Sequence, residues 1–139
     1  MLALSIDPGD TSGFAVAEIT PTTFVHGSTG TMQAWTGLDE LLDRFRPTLV
    51  LYETFRLFPS KAKKLAGSEL LAPQVIGVLL YLCQKRSITA LGRQPSAKNL
   101  PIIPRDAVLI SFVKALKTEH ERDAVMHLYA YWRTCVVES

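Results

Sequence analysis

The chain has 139 residues, 47% of them hydrophobic and 20% charged. That is the composition of one globular domain over residues 1–139, and it excludes a disordered or collagen-like chain. The net charge of +2 hides a division: residues 1–53 carry two basic and seven acidic side chains, residues 54–106 nine basic and two acidic, and the remainder balances. A basic middle third suits a polyanionic partner. The longest apolar run, Val75 to Cys83 interrupted by Gly77, falls well short of the roughly 20 residues that span a bilayer, so no membrane partner is expected. The opening Met-Leu-Ala-Leu-Ser-Ile-Asp reads as neither a signal nor a transit peptide. Cys83 and Cys135 lie in apolar helical patterns without metal spacing and read as reduced core thiols of a cytoplasmic protein.

Leu2 to Ile6 is a short apolar run stopped by Asp7-Pro8-Gly9, a buried strand ending in a turn. Gly13 to Ile19 and Thr22 to Gly27 read as two further strands of an antiparallel meander. Thr36 is a candidate N-cap before the helical stripe Leu38, Leu41, Leu42 and Phe45, which Pro47 ends. Thr48 to Tyr52 is a second buried strand, again followed by an acid, Glu53. Thr54 to Ser68 is basic and poorly periodic, a loop. A long helix is predicted from Ser68 or Glu69 to about Arg86, with Pro73 tolerated in its early part. Ile88 to Leu91 is a short strand, and Ser96 is placed to cap a short helical turn. Asp106 to Leu116 reads as a helix, and Thr118 caps a last one from Glu119 to about Val136. Strands alternating with helices after a meander define an α/β domain with a mixed sheet.

Two acids follow apolar strands directly. If the strands ending at Asp7 and Glu53 are parallel neighbours, about 4.8 Å apart, both carboxylates leave the same edge of the sheet and can share a cation. Ligand sites of open α/β sheets gather at that edge. The stretch Thr36 to Arg46 supplies the crossover helix that parallel strands require. A third element is Glu119-His120-Glu121-Arg122-Asp123-Ala124, where His120 and Asp123 share one helix face. An acid on the packed stripe of a helix is costly unless a partner neutralises it. Each piece alone has a structural reading, as a turn, a strand terminator or an exposed first helical turn. Their combination in this order points to a cation site.

Asp7-Pro8-Gly9 with Gly13, then Tyr52-Glu53, then His120-x-x-Asp123-Ala124, resembles the RuvC-type Holliday junction resolvases of the ribonuclease H superfamily, in a compact form most similar to phage-encoded members. The resemblance covers nearly the whole chain and is most specific at His-x-x-Asp-Ala. It implies a five-stranded mixed sheet of order 3-2-1-4-5 flanked by helices, and, for a phage protein, the bacterial host cytoplasm. The helix after Glu53, with Gln74 and Gly77, resembles the family's dimer-forming helix, which implies a homodimer. That helix is also apolar around more than one stripe, so it needs cover beyond its own sheet. Gln94-Pro95-Ser96 with Lys98 resembles a Pro-Ser stretch with a nearby lysine.

The implied activity is cleavage of branched DNA, a four-way junction, by a water nucleophile and two divalent ions about 4 Å apart. Oxygen ligands suit Mg²⁺ or Mn²⁺. Asp7 would bridge the ions, Glu53 would hold one and Asp123 the other. His120 would be a further ligand or handle a proton. Arg56, Lys61, Lys63, Lys64, Arg93, Ser96 and Lys98 are the candidate DNA contacts, and Phe55 or Phe58 is a candidate wedge into the junction. A broader flap or replication-fork nuclease, or a non-catalytic DNA-binding scaffold, is the alternative on the same fold.

Overall fold

The structure, a computed structural model, describes residues 1–55 and 70–137. Its strands are β1 (Leu2–Asp7), β2 (Thr11–Ile19), β3 (Phe24–Gln33), β4 (Leu49–Glu53) and β5 (Thr89–Arg93). Its α-helices are α1 (Leu38–Phe45), α2 (Leu71–Lys85), α3 (Ala107–Ala115) and α4 (Glu119–Tyr131). The five strands form one sheet in the order β3-β2-β1-β4-β5, the order implied by the resemblance. β1 runs antiparallel to β2 and parallel to β4, and β4 runs parallel to β5.

Strand alternation divides the core in two. Leu4 and Ile6 of β1, Val16 of β2 and Val50 of β4 face α1 and α2, which supply Leu38, Leu41, Leu42, Val75, Leu79 and Cys83. The buried α2 residues are spaced by four, so a single stripe of that helix meets the sheet. Ala3, Ala15, Ala17, Leu49 and Leu51 face the other way and meet Ala124, Val125, Leu128 and Tyr129 of α4. Alanines on both partners let this helix lie close to the sheet. The same alternation sets Ser5, Asp7 and Glu53 on the α4 side. Among the described residues no helix is long and apolar enough to cross a membrane.

The predicted element order holds, with local differences. β3 runs to Gln33 rather than ending at Gly27, because a register shift against β2 between Ala15 and Ala17 absorbs its Gly27-Ser28. Gly37, not Thr36, is the N-cap of α1, and the Thr36 hydroxyl donates back to the Gln33 carbonyl at 2.8 Å. The 3₁₀ turn Pro95–Asn99 starts from Gln94 with Pro95 in its first turn, so Ser96 does not cap it. Thr118 does cap α4, accepting the Glu121 N–H at 3.2 Å. α4 passes into a π-helical turn, Trp132–Val136. Cys83 is buried as expected, but Cys135 is exposed on that turn and is not a core thiol.

Candidate active site

Register brings the first two acids together. Ile6 pairs with Tyr52 across the parallel β1–β4 ladder, so the next residues, Asp7 and Glu53, end neighbouring strands side by side. α4 crosses the same face. His120, Asp123 and His127, spaced by three and four, occupy one side of it. Its first turn rests on β2 at Gly13, where a Cβ would lie 2.3 Å from the His120 carbonyl oxygen. Only glycine allows this approach. Glu121 ties the same turn to β3, accepting from the Thr29 hydroxyl at 2.6 Å.

His120 Nδ1 lies 3.1 Å from Asp7 Oδ2. The Lys98 ammonium donates to Glu53 Oε1 at 3.0 Å and to Asp123 Oδ2 at 3.1 Å, and His127 Nε2 lies 3.0 Å from Glu53 Oε1. Asp7 is only 6% exposed. Burial raises its pKa, and the charges of Glu53 and Asp123 add to the rise, against a hydrogen bond from His120 that lowers it. Glu53 moves the other way. Its hydrogen bond with His127 outweighs burial, and Lys98 adds to the lowering. Burial works against the Lys98 charge, yet Glu53 and Asp123 together hold its pKa above that of an ordinary lysine.

Asp7, Glu53, His120 and Asp123, the four residues singled out in the sequence, therefore meet at one edge. As arranged, no three of the described histidine, cysteine and carboxylate side chains surround a single cation position. Lys98 supplies the positive charge instead. An ammonium held by two carboxylates beside a third, buried one marks a place that favours a cation, and the hard oxygen donors fit Mg²⁺ or Mn²⁺.

The other candidate residues are spread more widely. Lys98 belongs to the acid cluster itself. Ser96 is exposed on the same 3₁₀ turn. Arg93 ends β5 beside Glu53, but its guanidinium carbon lies 5.6 Å from the Tyr131 ring centre, and its Nε is buried without a hydrogen-bond partner among the described residues. Phe55 is half-buried and lines a shallow cleft with Tyr52, Thr54, Pro73 and Ile76. Arg56, Phe58, Lys61, Lys63 and Lys64 lie outside the described residues. Sequence reasoning missed His127. Its signal is the spacing, seven residues after His120 and four after Asp123.

No family model and no curated relative matches this chain. Solved structures do. Thermus thermophilus RuvC in complex with a Holliday junction substrate shares 17% identity at a TM-score of 0.68, with 99% of this chain and 98% of that one covered. The fowlpox virus resolvase in complex with substrate Holliday junction DNA shares 14% at 0.66, covering 95% and 99%. The yeast mitochondrial Holliday junction resolvase shares 12% at 0.56, covering 94% and 78%. The fold is thus ribonuclease H-like. Within that class, this chain is similar over nearly its whole length to the RuvC-type resolvases.

Proposed function

We propose that this chain is a divalent-metal-dependent endodeoxyribonuclease that nicks branched DNA and, as a homodimer, resolves four-way junctions by paired symmetric cuts. The observation that carries this reading is the convergence of Asp7, Glu53 and Asp123 at the carboxyl edge of the sheet, around the Lys98 ammonium. The likeness to resolvases in complex with Holliday junctions supports the choice of substrate. Asp7, Glu53 and Asp123 would hold two ions, with His120 as a further ligand or proton carrier. Bound there, Mg²⁺ or Mn²⁺ supplies an activated water and stabilises charge on the leaving oxygen.

The protein's own part is to hold the acids ready. The close approach of α4 to β2 and the parallel β1–β4 register fix their separation, and burial limits the water around Asp7. Lys98, once released from the acids, can face a phosphate. With Lys61, Lys63, Lys64 and other basic residues of the middle third, it would make binding fall steeply with salt.

The test is cleavage of a four-way junction beside linear duplex, flap, fork and RNA–DNA hybrid, with Mg²⁺, with Mn²⁺ and with chelator. Paired nicks in the junction that need metal are the expected result. No metal-dependent cleavage of any substrate overturns the nuclease reading, and junction binding without cleavage indicates a scaffold. Preference for flaps or forks replaces the junction assignment with the broader nuclease.

A further inference from the structure

His127 lies behind the acid cluster, completely buried, with Nε2 3.0 Å from Glu53 Oε1. Its Nδ1 is also buried and has no hydrogen-bond partner among the described residues. Packing does not explain such a residue. A leucine would fill similar space without an orphaned nitrogen, and an unsatisfied buried polar atom is destabilising. The environment also selects one neutral form of the ring. Nε2 must carry the proton to donate to the carboxylate, and Nδ1 then holds only a lone pair. The opposite tautomer would leave a buried N–H without an acceptor and set a lone pair against an anion.

Glu53 Oε1 is engaged twice, by His127 from the interior and by Lys98 from the open side, each at 3.0 Å. No described residue hydrogen-bonds Oε2. The two donors differ in what they can do. Lys98 is a flexible side chain on a short surface turn, with 26% of its side chain exposed, and a stronger cation can displace it. His127 is enclosed within α4 and the sheet at 0% exposure and stays in place.

We propose that His127 is a positioning residue that holds Glu53 Oε1 from inside the protein and so fixes how the Glu53 carboxylate is turned toward the cation site. This deepens the proposed function and rests on its reading of Glu53 as a metal ligand. A carboxylate hydrogen-bonded at one oxygen by an enclosed donor loses freedom to rotate. Its orientation is also set before metal arrives, as donors behind metal ligands set theirs elsewhere.

The experiment uses the full chain without DNA and measures Mn²⁺ binding by electron paramagnetic resonance and calorimetry, with thermal unfolding as the check on folding. His127→Leu removes the donor, and His127→Gln returns an amide N–H near the position of Nε2. Binding by the leucine variant is expected to weaken about 10–100-fold, the range for losing a group that orients a ligand, and the glutamine variant is expected to recover most of it. A folded leucine variant that binds Mn²⁺ as tightly as wild type overturns the role of His127. Wild-type protein that binds no Mn²⁺ overturns the metal reading, and this inference with it. If the leucine variant does not fold, the ring-nitrogen resonances of wild type and the Mn²⁺ affinity of the glutamine variant decide. A bare Nε2 in wild type, or a folded glutamine variant whose affinity is about 100-fold lower, overturns the assignment.

Discussion

Lys98 and Glu53 form an ion pair, Nζ to Oε1 at 3.0 Å, and the same ammonium reaches Asp123 of α4 at 3.1 Å. An internal cation thus offsets the repulsion among three acids and competes with any external one. Lys98→Met is expected to cost the metal-free protein about 1–2 kcal/mol, below the ~3–5 kcal/mol of breaking a fully buried pair, because the group keeps some access to water. The variant is also expected to gain more in unfolding temperature from Mg²⁺ than wild type, since metal then binds without displacing the lysine. Thermal unfolding with and without millimolar Mg²⁺ measures both effects. Equal metal-induced shifts in the two proteins would show that Lys98 does not occupy the cation site.

Asp7 and Glu53 are displaced in opposite directions, which gives their amide variants opposite signs. The raised pKa of Asp7, due first to burial, means that its ionised form costs folded-state stability. That cost is absent below the ordinary carboxylate pKa and is complete once pH has risen through the raised value. Asp7→Asn is therefore expected to be more stable than wild type near neutrality without metal, the gap closing in acid. Glu53, lowered first by His127, contributes stability that is present above the ordinary value and lost as pH falls through its lowered pKa. Glu53→Gln is expected to be less stable at neutrality, and that gap also closes in acid. Both variants are expected to bind junction DNA yet lose cleavage by more than ~100-fold, beyond what loss of an outer group costs. Denaturation across pH, beside cleavage assays, checks the signs.

His120 touches Asp7 directly, and its hydrogen bond lowers the pKa that burial raises. Removing the ring in His120→Ala leaves Asp7 protonated to a higher pH. The acid limb of the cleavage profile is then expected to move to higher pH, with activity falling most below neutrality. His120→Asp restores an oxygen ligand and is expected to remain active with Mg²⁺. A pH–rate profile of the alanine variant that overlays wild type removes His120 from the site.

The backbone of the site was legible because it depends on short-range regularities. Short apolar runs stopped by acids located Asp7 and Glu53, and a helix-capping threonine followed by His-x-x-Asp located α4. Four features were not legible for physical reasons. Gly27-Ser28-Thr29-Gly30 has the composition of a turn, but pairing with β2 overrides local preference, and β3 continues through it with a bulge. Lys98 looked like a phosphate contact because its sequence neighbours do not reveal that its turn folds back over Glu53 and Asp123. His127 follows the helical spacing of the site, but whether such a histidine meets an acid depends on the strand beneath it. Cys135 sits in an apolar pattern that the π-helical turn rotates outward.

Gly13 offers a test of how closely α4 must sit. A Cβ there would lie 2.3 Å from the His120 carbonyl oxygen and 2.7 Å from its Cβ, and the obstructing atoms are mainly backbone. Gly13→Ala is expected to push the first turn of α4 off the sheet, at about 1–3 kcal/mol, as overpacking does elsewhere. Because His120 and Asp123 travel with that turn, cleavage is expected to fall even at temperatures where the variant is fully folded. Chemical denaturation and cleavage on the same sample distinguish the two losses. Wild-type activity in this variant would show that the site tolerates a displaced helix.

The proposed dimer can be tested on α2, where burial separates two faces. Val75, Leu79 and Cys83 are enclosed against the sheet, whereas Leu80 is 39% and Tyr81 62% exposed. A Cβ added at Gly77 would meet none of the described residues within 4 Å. Large apolar side chains on an outward face, beside a glycine that permits close helix approach, suit a two-fold contact between copies of α2. Two sites related by that axis match the two symmetric cuts that a four-way junction needs, which one site cannot deliver in a single encounter. Leu80→Glu and Tyr81→Glu are therefore expected to give folded monomers that nick a junction without resolving it. Leu79→Glu, on the enclosed side at 0% exposure, is expected instead to unfold the protein. Light scattering at micromolar concentration, with and without junction DNA, reads the assembly, and junctions in a supercoiled plasmid separate single from paired cuts. Wild-type protein that stays monomeric in both conditions removes the dimer while leaving the acids of the site unaffected. Two independent nicks by separate monomers would then have to account for any resolution observed.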